Sequence, residues 1–168
     1  MKKLSIRQAE KGEEEAILRV YASARAFMRR NGNMQQWTDG YPGECEIGND
    51  IDAGNLYVGI DRDGEIVVVF AFIVGEDPTY REIDGGWLND EPYGTIHRIG
   101  SSGKHAGMLG ECVEYCLEKV PHIRIDTHRD NRPMLAALQR LDFQRCGVII
   151  CADGTPREAF QLVRDKEG

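Results

Sequence analysis

One segment of the chain combines small and basic residues in a way that suits the binding of a phosphate group. It covers residues 97–110, with the sequence HRIGSSGKHAGMLG, and runs from a predicted strand through a loop into a predicted helix. The start of a helix offers backbone N–H groups without intrahelical partners and a partial positive charge. Glycines such as Gly103 and Gly107 let the backbone approach an anion closely. Lys104 and His105 can add positive charge, so the segment predicts a phosphate-binding turn.

Two common nucleotide-binding patterns do not occur in this segment. It lacks both the dinucleotide fingerprint G-x-G-x-x-G and the Walker pattern G-x-x-x-x-G-K-[ST]. The turn therefore requires a different cofactor-binding arrangement.

Hydrophobic periodicity predicts the elements that must position this turn. Strands are predicted at residues 4–9, 56–60, 65–74, 95–100, 122–127, 143–151 and 157–163. Helices are predicted at residues 13–30, 108–119 and 132–141, and a further short one within 34–49. Because a strand–helix–strand crossover is right-handed, the fourth and fifth predicted strands should run parallel. The order indicates an α+β or α/β fold with a mixed central sheet.

Composition restricts the class of protein and its partners. A length of 168 residues fits one domain, predicted over residues 1–168, and 41% hydrophobic with 29% charged residues is typical of soluble proteins. No apolar run approaches the roughly 18 residues of a spanning helix, and no secretory signal opens the chain, so we expect a cytoplasmic protein. The net charge of −7 disfavours nucleic acid and anionic membranes and is compatible with a cationic amine substrate.

The five cysteines form no C-x-x-C pair and no zinc-binding pattern. We therefore expect reduced thiols and no metal.

The phosphate-binding turn resembles the cofactor motif of the GNAT superfamily of N-acetyltransferases, [RQK]-x-x-G-x-[GA], which follows that family's fourth strand. Here the motif reads KHAGML over residues 104–109. Lys104 takes the place of the usual Arg or Gln, Gly107 matches, and Leu109 replaces the usual Gly or Ala.

A second resemblance lies downstream, in the family's block N-x-x-[AM]…L-Y-x-x-x-G-F. Asn131, Met134 and Phe143 agree with it. Gln139 stands where the family often has a tyrosine that acts as general acid, and Asp142 stands where it has glycine. The two motifs occupy about residues 96–143, and the order of elements agrees over nearly the whole chain.

The resemblance implies a mostly antiparallel mixed sheet of about six to seven strands, flanked by about four helices. It implies that the fourth and fifth strands splay apart and admit the pantetheine arm of acetyl-coenzyme A (acetyl-CoA). The implied activity is transfer of an acetyl group to a primary amine of a small molecule, and a protein N-terminus or lysine is the alternative acceptor. The implied cofactor-binding residues are Arg98, Ile99, Gly100, Lys104, His105, Ala106, Gly107, Met108, Leu109 and Asn131.

The general base is left open by the sequence. His97 and Tyr93 share one face of the fourth predicted strand and are the first candidates for catalysis. Asp126 and His128 are further options for the base. His97 can equally be a histidine packed beneath the cofactor.

Three aromatic residues are candidates for the walls of an acceptor pocket. Trp37 either lines that pocket or packs the first helix onto the sheet. Tyr80 and Trp87 either edge the acceptor site or cover the sheet. The alternative functions are a non-catalytic acyl-CoA-binding module and a phosphate-ligand binder of another fold. Exposed strand edges make a homodimer a further expectation.

Overall fold

The computed structural model describes residues 2–164, which form four α-helices. The longest, α1 (Glu14–Arg30), buries Ile17, Tyr21 and Met28 on one face. Acidic residues in its first turn and basic residues in its last turn suit the helix dipole. The other helices are α2 (Glu44–Asp52), α3 (Met108–Leu117) and α4 (Arg132–Arg140).

The described residues also form eight strands in one sheet with the order β1-β2-β3-β5-β6-β8-β7-β4. The strands are β1 (Ser5–Gln8), β2 (Leu56–Ile60), β3 (Ile66–Val74), β4 (Asp84–Gly85), β5 (Gly94–Ser101), β6 (His122–Thr127), β7 (Gln144–Ile150) and β8 (Pro156–Val163). The pair β5–β6 is parallel and the other pairs are antiparallel. This confirms the predicted mixed sheet. The two-residue β4 is additional, so the fourth and fifth predicted strands are β5 and β6.

The parallel pair β5–β6 separates soon after it forms. Its register joins only Gly94 to Ile123 and Thr95 to Arg124. Beyond Thr95 the two strands diverge, which confirms the predicted splay and opens a gap in the middle of the sheet.

A β-bulge bends β5 at Arg98, just after the strand has left β6. The register between β5 and β3 shifts between Val69 and Ala71, and Arg98 has a φ of 49°. Such bulges re-aim the backbone next to functional sites. The hydroxyl of Tyr21 in α1 donates a 2.9 Å hydrogen bond to the carbonyl of Arg98, so the helix holds the bulge in place.

Helices cover both faces of the sheet. Alternate residues of β3 enter two different cores: Phe70 packs in the core that includes Leu138 of α4, and Val69 packs in the core that includes Ile17 of α1. The gap between β5 and β6 therefore opens between α1 on one side and α4 on the other. Among residues 2–164, no helix combines the length and apolar character required to cross a bilayer.

Candidate active site

The start of α3 has no capping side chain, whereas the N–H groups of Gly103 and Lys104 in the preceding loop donate to Ser101 Oγ and Ser102 Oγ. Gly107 is the N-cap of α3 and has a φ of 77°, and Gly103 has a φ of 78°. A side chain at either position would be strained, although a Cβ would meet no atom within 4 Å. No side chain caps α3, so the first-turn N–H groups face open space, as an anion-binding turn requires.

A cavity of about 550 Å³ lies beside this turn, between α1 and α4. The predicted cofactor-binding residues that line it are Ile99, Gly100, His105, Gly107, Met108, Leu109 and Asn131. We call it the first cavity. Lys104 and Ala106 do not line it, and Arg98 lines a neighbouring cavity instead.

The structure places the ammonium group of Lys104 outside the first cavity. Its Nζ lies 2.9 Å from Glu65, 3.1 Å from Asp61 and 3.2 Å from Asp63, all in or beside the turn between β2 and β3. These carboxylates, Glu65 first, raise the pKa of Lys104. The side chain therefore ties two loops together, and the Lys104 N–H donates a 3.3 Å hydrogen bond to Ser102 Oγ.

Asp61 connects the same two loops through His105. Its Oδ2 lies 3.0 Å from His105 Nε2, and its Oδ1 accepts 3.0 Å hydrogen bonds from the N–H groups of Asp63 and Glu65. The hydrogen bond with His105 is the largest cause of a pKa of Asp61 far below its usual range. The sequence indicated only a hairpin turn at 61–64, because nothing local predicts a contact with residues 44 positions away.

A second cavity of about 500 Å³ continues from the first. The two cavities share Met28, Ile99, Asn131 and Met134. Ile99 directly follows the bulge at Arg98, where β5 has left β6. The cavities thus meet at the gap between the splayed strands.

His97 lines the second cavity with a carboxylate behind it. Its Nε2 lies 2.7 Å from Asp77 Oδ2. Burial tends to raise the pKa of Asp77, but the hydrogen bonds from His97 and the Thr79 N–H outweigh it, and the pKa is lowered. A carboxylate on Nε2 favours the tautomer that keeps a lone pair on Nδ1, so His97 can accept a proton. Sequence reasoning missed Asp77, which lies in an aperiodic connection.

Asp126 lines the same cavity, and its pKa is shifted in the opposite direction from that of Asp77. Its Oδ2 accepts a 2.6 Å hydrogen bond from the hydroxyl of Tyr80. Burial raises the pKa of Asp126, which makes the carboxylate a better proton acceptor. Both His97 and Asp126 therefore satisfy the chemical requirements of a general base.

The other two candidates for catalysis do not reach either cavity. The hydroxyl of Tyr93 is buried and accepts a 2.7 Å hydrogen bond from the Asp77 N–H, so Tyr93 positions the segment that carries Asp77. His128 is also buried, and its Nδ1 accepts a hydrogen bond from the Asp130 N–H. Burial lowers the pKa of His128. The Tyr93 hydroxyl thus contacts the fold, and a direct part of Tyr93 in catalysis stays a prediction.

Arg98 lies at the edge of the second cavity but is held by Asp50 of α2. Its Nε and Nη2 donate hydrogen bonds of 2.9 and 2.8 Å to the two oxygens of Asp50. A bidentate pair of this kind fixes the guanidinium and neutralises its charge. The Arg98 side chain thus lines the second cavity and not the first, and its contact with the cofactor stays a prediction.

Asn131 caps α4 and joins it to the segment before α2. Its Oδ1 accepts a hydrogen bond from the Met134 N–H, and its Nδ2 donates to Gln36 Oε1. Trp37 follows in that segment and packs edge-on against Tyr21 of α1, with ring centroids 5.4 Å apart. Trp37 also lines the second cavity, and its place in an acceptor pocket stays a prediction.

Trp87 packs away from both cavities. Its Nε1 donates a hydrogen bond to the Tyr80 carbonyl, and its ring lies 4.1 Å from the guanidinium carbon of Arg124. The segment 78–93 therefore covers the sheet, and Tyr80 meets the site only through its hydroxyl.

Solved structures of acetyltransferases are similar to this structure. A GNAT-family acetyltransferase from Streptococcus agalactiae shares 34% sequence identity, with 97% of this chain and 96% of that chain covered and a TM-score of 0.87. A GNAT-family acetyltransferase from Listeria monocytogenes shares 17% identity, with coverages of 98% and 99% and a TM-score of 0.72. An aminoglycoside N(6′)-acetyltransferase from Legionella pneumophila shares 11% identity, with coverages of 97% and 94% and a TM-score of 0.67.

The last two similarities concern the fold alone. No protein-family model and no curated protein sequence matches the chain. The identity with the Streptococcus agalactiae protein nevertheless extends over almost all of both chains. The chain therefore belongs to the GNAT family of acetyltransferases and is an acyltransferase.

Proposed function

We propose that the protein transfers an acetyl group from acetyl-CoA to the primary amine of a small molecule. The observation that carries this proposal is the meeting of the two cavities at Ile99, in the gap between β5 and β6. One cavity begins at an anion-binding turn and the other contains proton acceptors. A donor and an acceptor bound in these cavities would face each other at the shared wall.

The residues of the first cavity fit coenzyme A. The uncapped N–H groups at the start of α3, and the free space beside the backbone of Gly103 and Gly107, suit its diphosphate. Gly100 is closely packed, because a Cβ there would lie 3.1 Å from side-chain atoms of Ala24 and Tyr21, which would have to move by a few tenths of an ångström. Acetyl-CoA supplies an acetyl group activated as a thioester. Ile99 and Asn131, on the shared wall, would border that group.

The side chains of the second cavity would prepare the amine. An alkyl amine has a pKa near 10 and is protonated at neutral pH, so a base must remove a proton before it can attack. His97, oriented by Asp77, would accept that proton on Nδ1, and Asp126 is the alternative acceptor. In the net reaction a nitrogen–carbon bond forms, the carbon–sulfur bond breaks, and one proton passes to solvent.

A general acid for the departing thiol is not required by this proposal. Gln139, at the position of the family tyrosine, is exposed on α4 and does not line either cavity. A thiol has a pKa of only about 8.5, so the thiolate can leave and take a proton from water.

The test is binding of coenzyme A to wild type and to Gly107→Glu, measured by calorimetry, together with thiol release from acetyl-CoA over a panel of amines. Gly107→Glu places bulk and negative charge at the turn and should abolish binding. Gly32→Glu is the matched control, since its φ is 81°, a Cβ there also meets nothing within 4 Å, and Gly32 does not line either cavity.

The outcomes separate the competing functions. Wild-type affinity in a folded Gly107→Glu variant would reject the cofactor site. Tight binding of coenzyme A without amine-dependent thiol release would favour a non-catalytic acyl-CoA-binding module. Equal binding of nucleotides that lack pantetheine would favour a phosphate-ligand binder.

A further inference from the structure

Charged side chains of both signs line the second cavity. The cationic ones are Arg98 and Arg157, and the anionic ones are Asp126 and Asp153. Arg98 is neutralised by its bidentate pair with Asp50. The charge that distinguishes this cavity from a purely acidic one is therefore that of Arg157.

The guanidinium of Arg157 uses little of its hydrogen-bonding capacity inside the protein. Its Nη1 donates to Thr155 Oγ1 at 2.8 Å and to the Pro156 carbonyl at 2.9 Å. Within residues 2–164, no carboxylate lies within 4.0 Å of it, and Nε and Nη2 have no acceptor. Arg157 is half-buried, so hydrogen bonds to water can satisfy these donors only in part.

The two carboxylates of the cavity are already engaged elsewhere. Asp126 accepts the hydrogen bond of the Tyr80 hydroxyl. Asp153 accepts a hydrogen bond from the N–H of Thr155 and a second from its hydroxyl, and these lower the pKa of Asp153. Neither forms an ion pair with Arg157, although both are close enough to feel its charge.

Strand register fixes the spacing between Arg157 and Asp126, one of the proposed proton acceptors. Asp126 of β6 pairs with Ala159 of β8, and Arg157 lies two residues before Ala159. Asp126 and Arg157 therefore share one face of the sheet as diagonal neighbours, with Cα atoms about 7–8 Å apart. A small molecule that spans this distance can present an amine to His97 and Asp126 and an anionic group to Arg157.

We propose that Arg157 binds a carboxylate of the acceptor, so that the substrate class is a compact zwitterion of the amino-acid type. This inference rests on the proposed acetyl transfer and specifies its acceptor. The amine lies toward His97 and Asp126, and the carboxylate receives two charge-assisted hydrogen bonds from Nε and Nη2. A polycationic acceptor is disfavoured, because Arg157 would repel its second positive charge.

The test compares amino acids with their carboxamides, which lack the charge that Arg157 would bind, at a pH above the amine pKa of both so that the lower amine pKa of the carboxamides does not affect the ratio. For wild type, kcat/KM should be larger for the amino acid by about 10- to 100-fold, the usual range for a charge-assisted hydrogen bond. Calorimetry of the same pairs on CoA-saturated protein measures the preference without turnover.

Two variants and one control complete the experiment. Arg157→Gln should bring the ratio of amino acid to carboxamide close to one, and Arg157→Lys should restore part of it. Arg164→Gln is the control, because Arg164 follows the other end of β8 and pairs with Glu114 instead of lining the cavity. It should keep the wild-type ratio, and melting temperatures check that all variants fold.

The inference and the proposed function fail in different ways. Acetylation of carboxamides or diamines as efficient as that of amino acids would overturn the inference and leave acetyl transfer in place. An unchanged ratio in Arg157→Gln would also overturn it. Absence of acceptor-dependent thiol release and of acceptor binding across the whole panel would overturn both.

Discussion

Replacement of Asp77 by Asn tests how the proposed base is positioned. The two side chains of the His97–Asp77 pair are only 21% and 15% exposed, and their 2.7 Å contact joins a ring N–H to a carboxylate. A hydrogen bond to a charged group contributes about 1.5–3 kcal/mol. Because 1.36 kcal/mol corresponds to a factor of ten in rate, Asp77→Asn should lower kcat/KM by roughly 10- to 150-fold.

The rate should fall because Asp77→Asn changes the tautomer of His97 as well as removing the charge beside it. The amide of Asn can present an N–H to Nε2, which would move the ring proton to Nδ1 and remove the lone pair that accepts the amine proton. The affinity for coenzyme A should stay unchanged, because Asp77 and His97 do not line the first cavity.

The assay is the pH profile of kcat/KM for wild type, Asp77→Asn, His97→Gln and the double variant. The double variant should be no slower than His97→Gln alone, since Asp77 acts through His97. Asp84→Asn is the control, because Asp84 is exposed at the far edge of the sheet. Additive losses would contradict the proposal that Asp77 acts through His97. A wild-type rate in Asp77→Asn, together with a large loss in Asp126→Asn measured in the same assay, would refute His97 and identify Asp126 as the base.

Three further predictions concern the loops and the core. Lys104→Gln should change the calorimetric Kd for coenzyme A by less than about threefold, because its exposed ammonium pairs with carboxylates outside the first cavity; a loss as large as that of Gly107→Glu would contradict this. Asp61 has a lowered pKa in the folded state, so its ionised form stabilises the protein above the unfolded-state pKa of about 4. This contribution decreases as the pH falls below about 4 and is lost as the pH falls through the lower pKa of the folded state. The gap in urea-unfolding free energy between wild type and Asp61→Asn should therefore narrow from pH 7 to pH 3, and a gap that widens would show the opposite sign. Leu138→Ala should cost about 2–5 kcal/mol in the same unfolding assay, because Leu138 is fully buried in the core beneath α4, and a cost below about 1 kcal/mol would show that the site collapses around the smaller side chain.

The sequence was sufficient to predict the elements with strong periodicity. The helix of Ile17 and Tyr21 and the seven longer strands have regular apolar spacing, and the parallel pair follows from the handedness of its crossover. The glycine-rich turn before α3, which we propose binds the diphosphate, was predictable as a turn because its glycines and its helix start are adjacent in the chain. The two-residue β4 was not, since its pairing with β7 is decided by tertiary contacts.

The parts of the site that escaped prediction depend on contacts between distant residues. Asp77 lies 20 positions from His97, and the carboxylates that hold Lys104 lie about 40 positions before it. Arg157 is the second residue of β8. The alternation of polar and apolar residues in that strand gives no sign that the Arg157 side chain faces a cavity. Types of residue indicated what chemistry was available, and only the packing of the sheet decided which side chains share a site.

The most direct test of the central claim is a crystal structure of the protein with bound coenzyme A. The account predicts the diphosphate against the backbone of Gly103 and Gly107, and the sulfur between Ile99 and Asn131, where the cavities meet. A diphosphate bound elsewhere, or a pantetheine arm that does not enter the gap between β5 and β6, would contradict it.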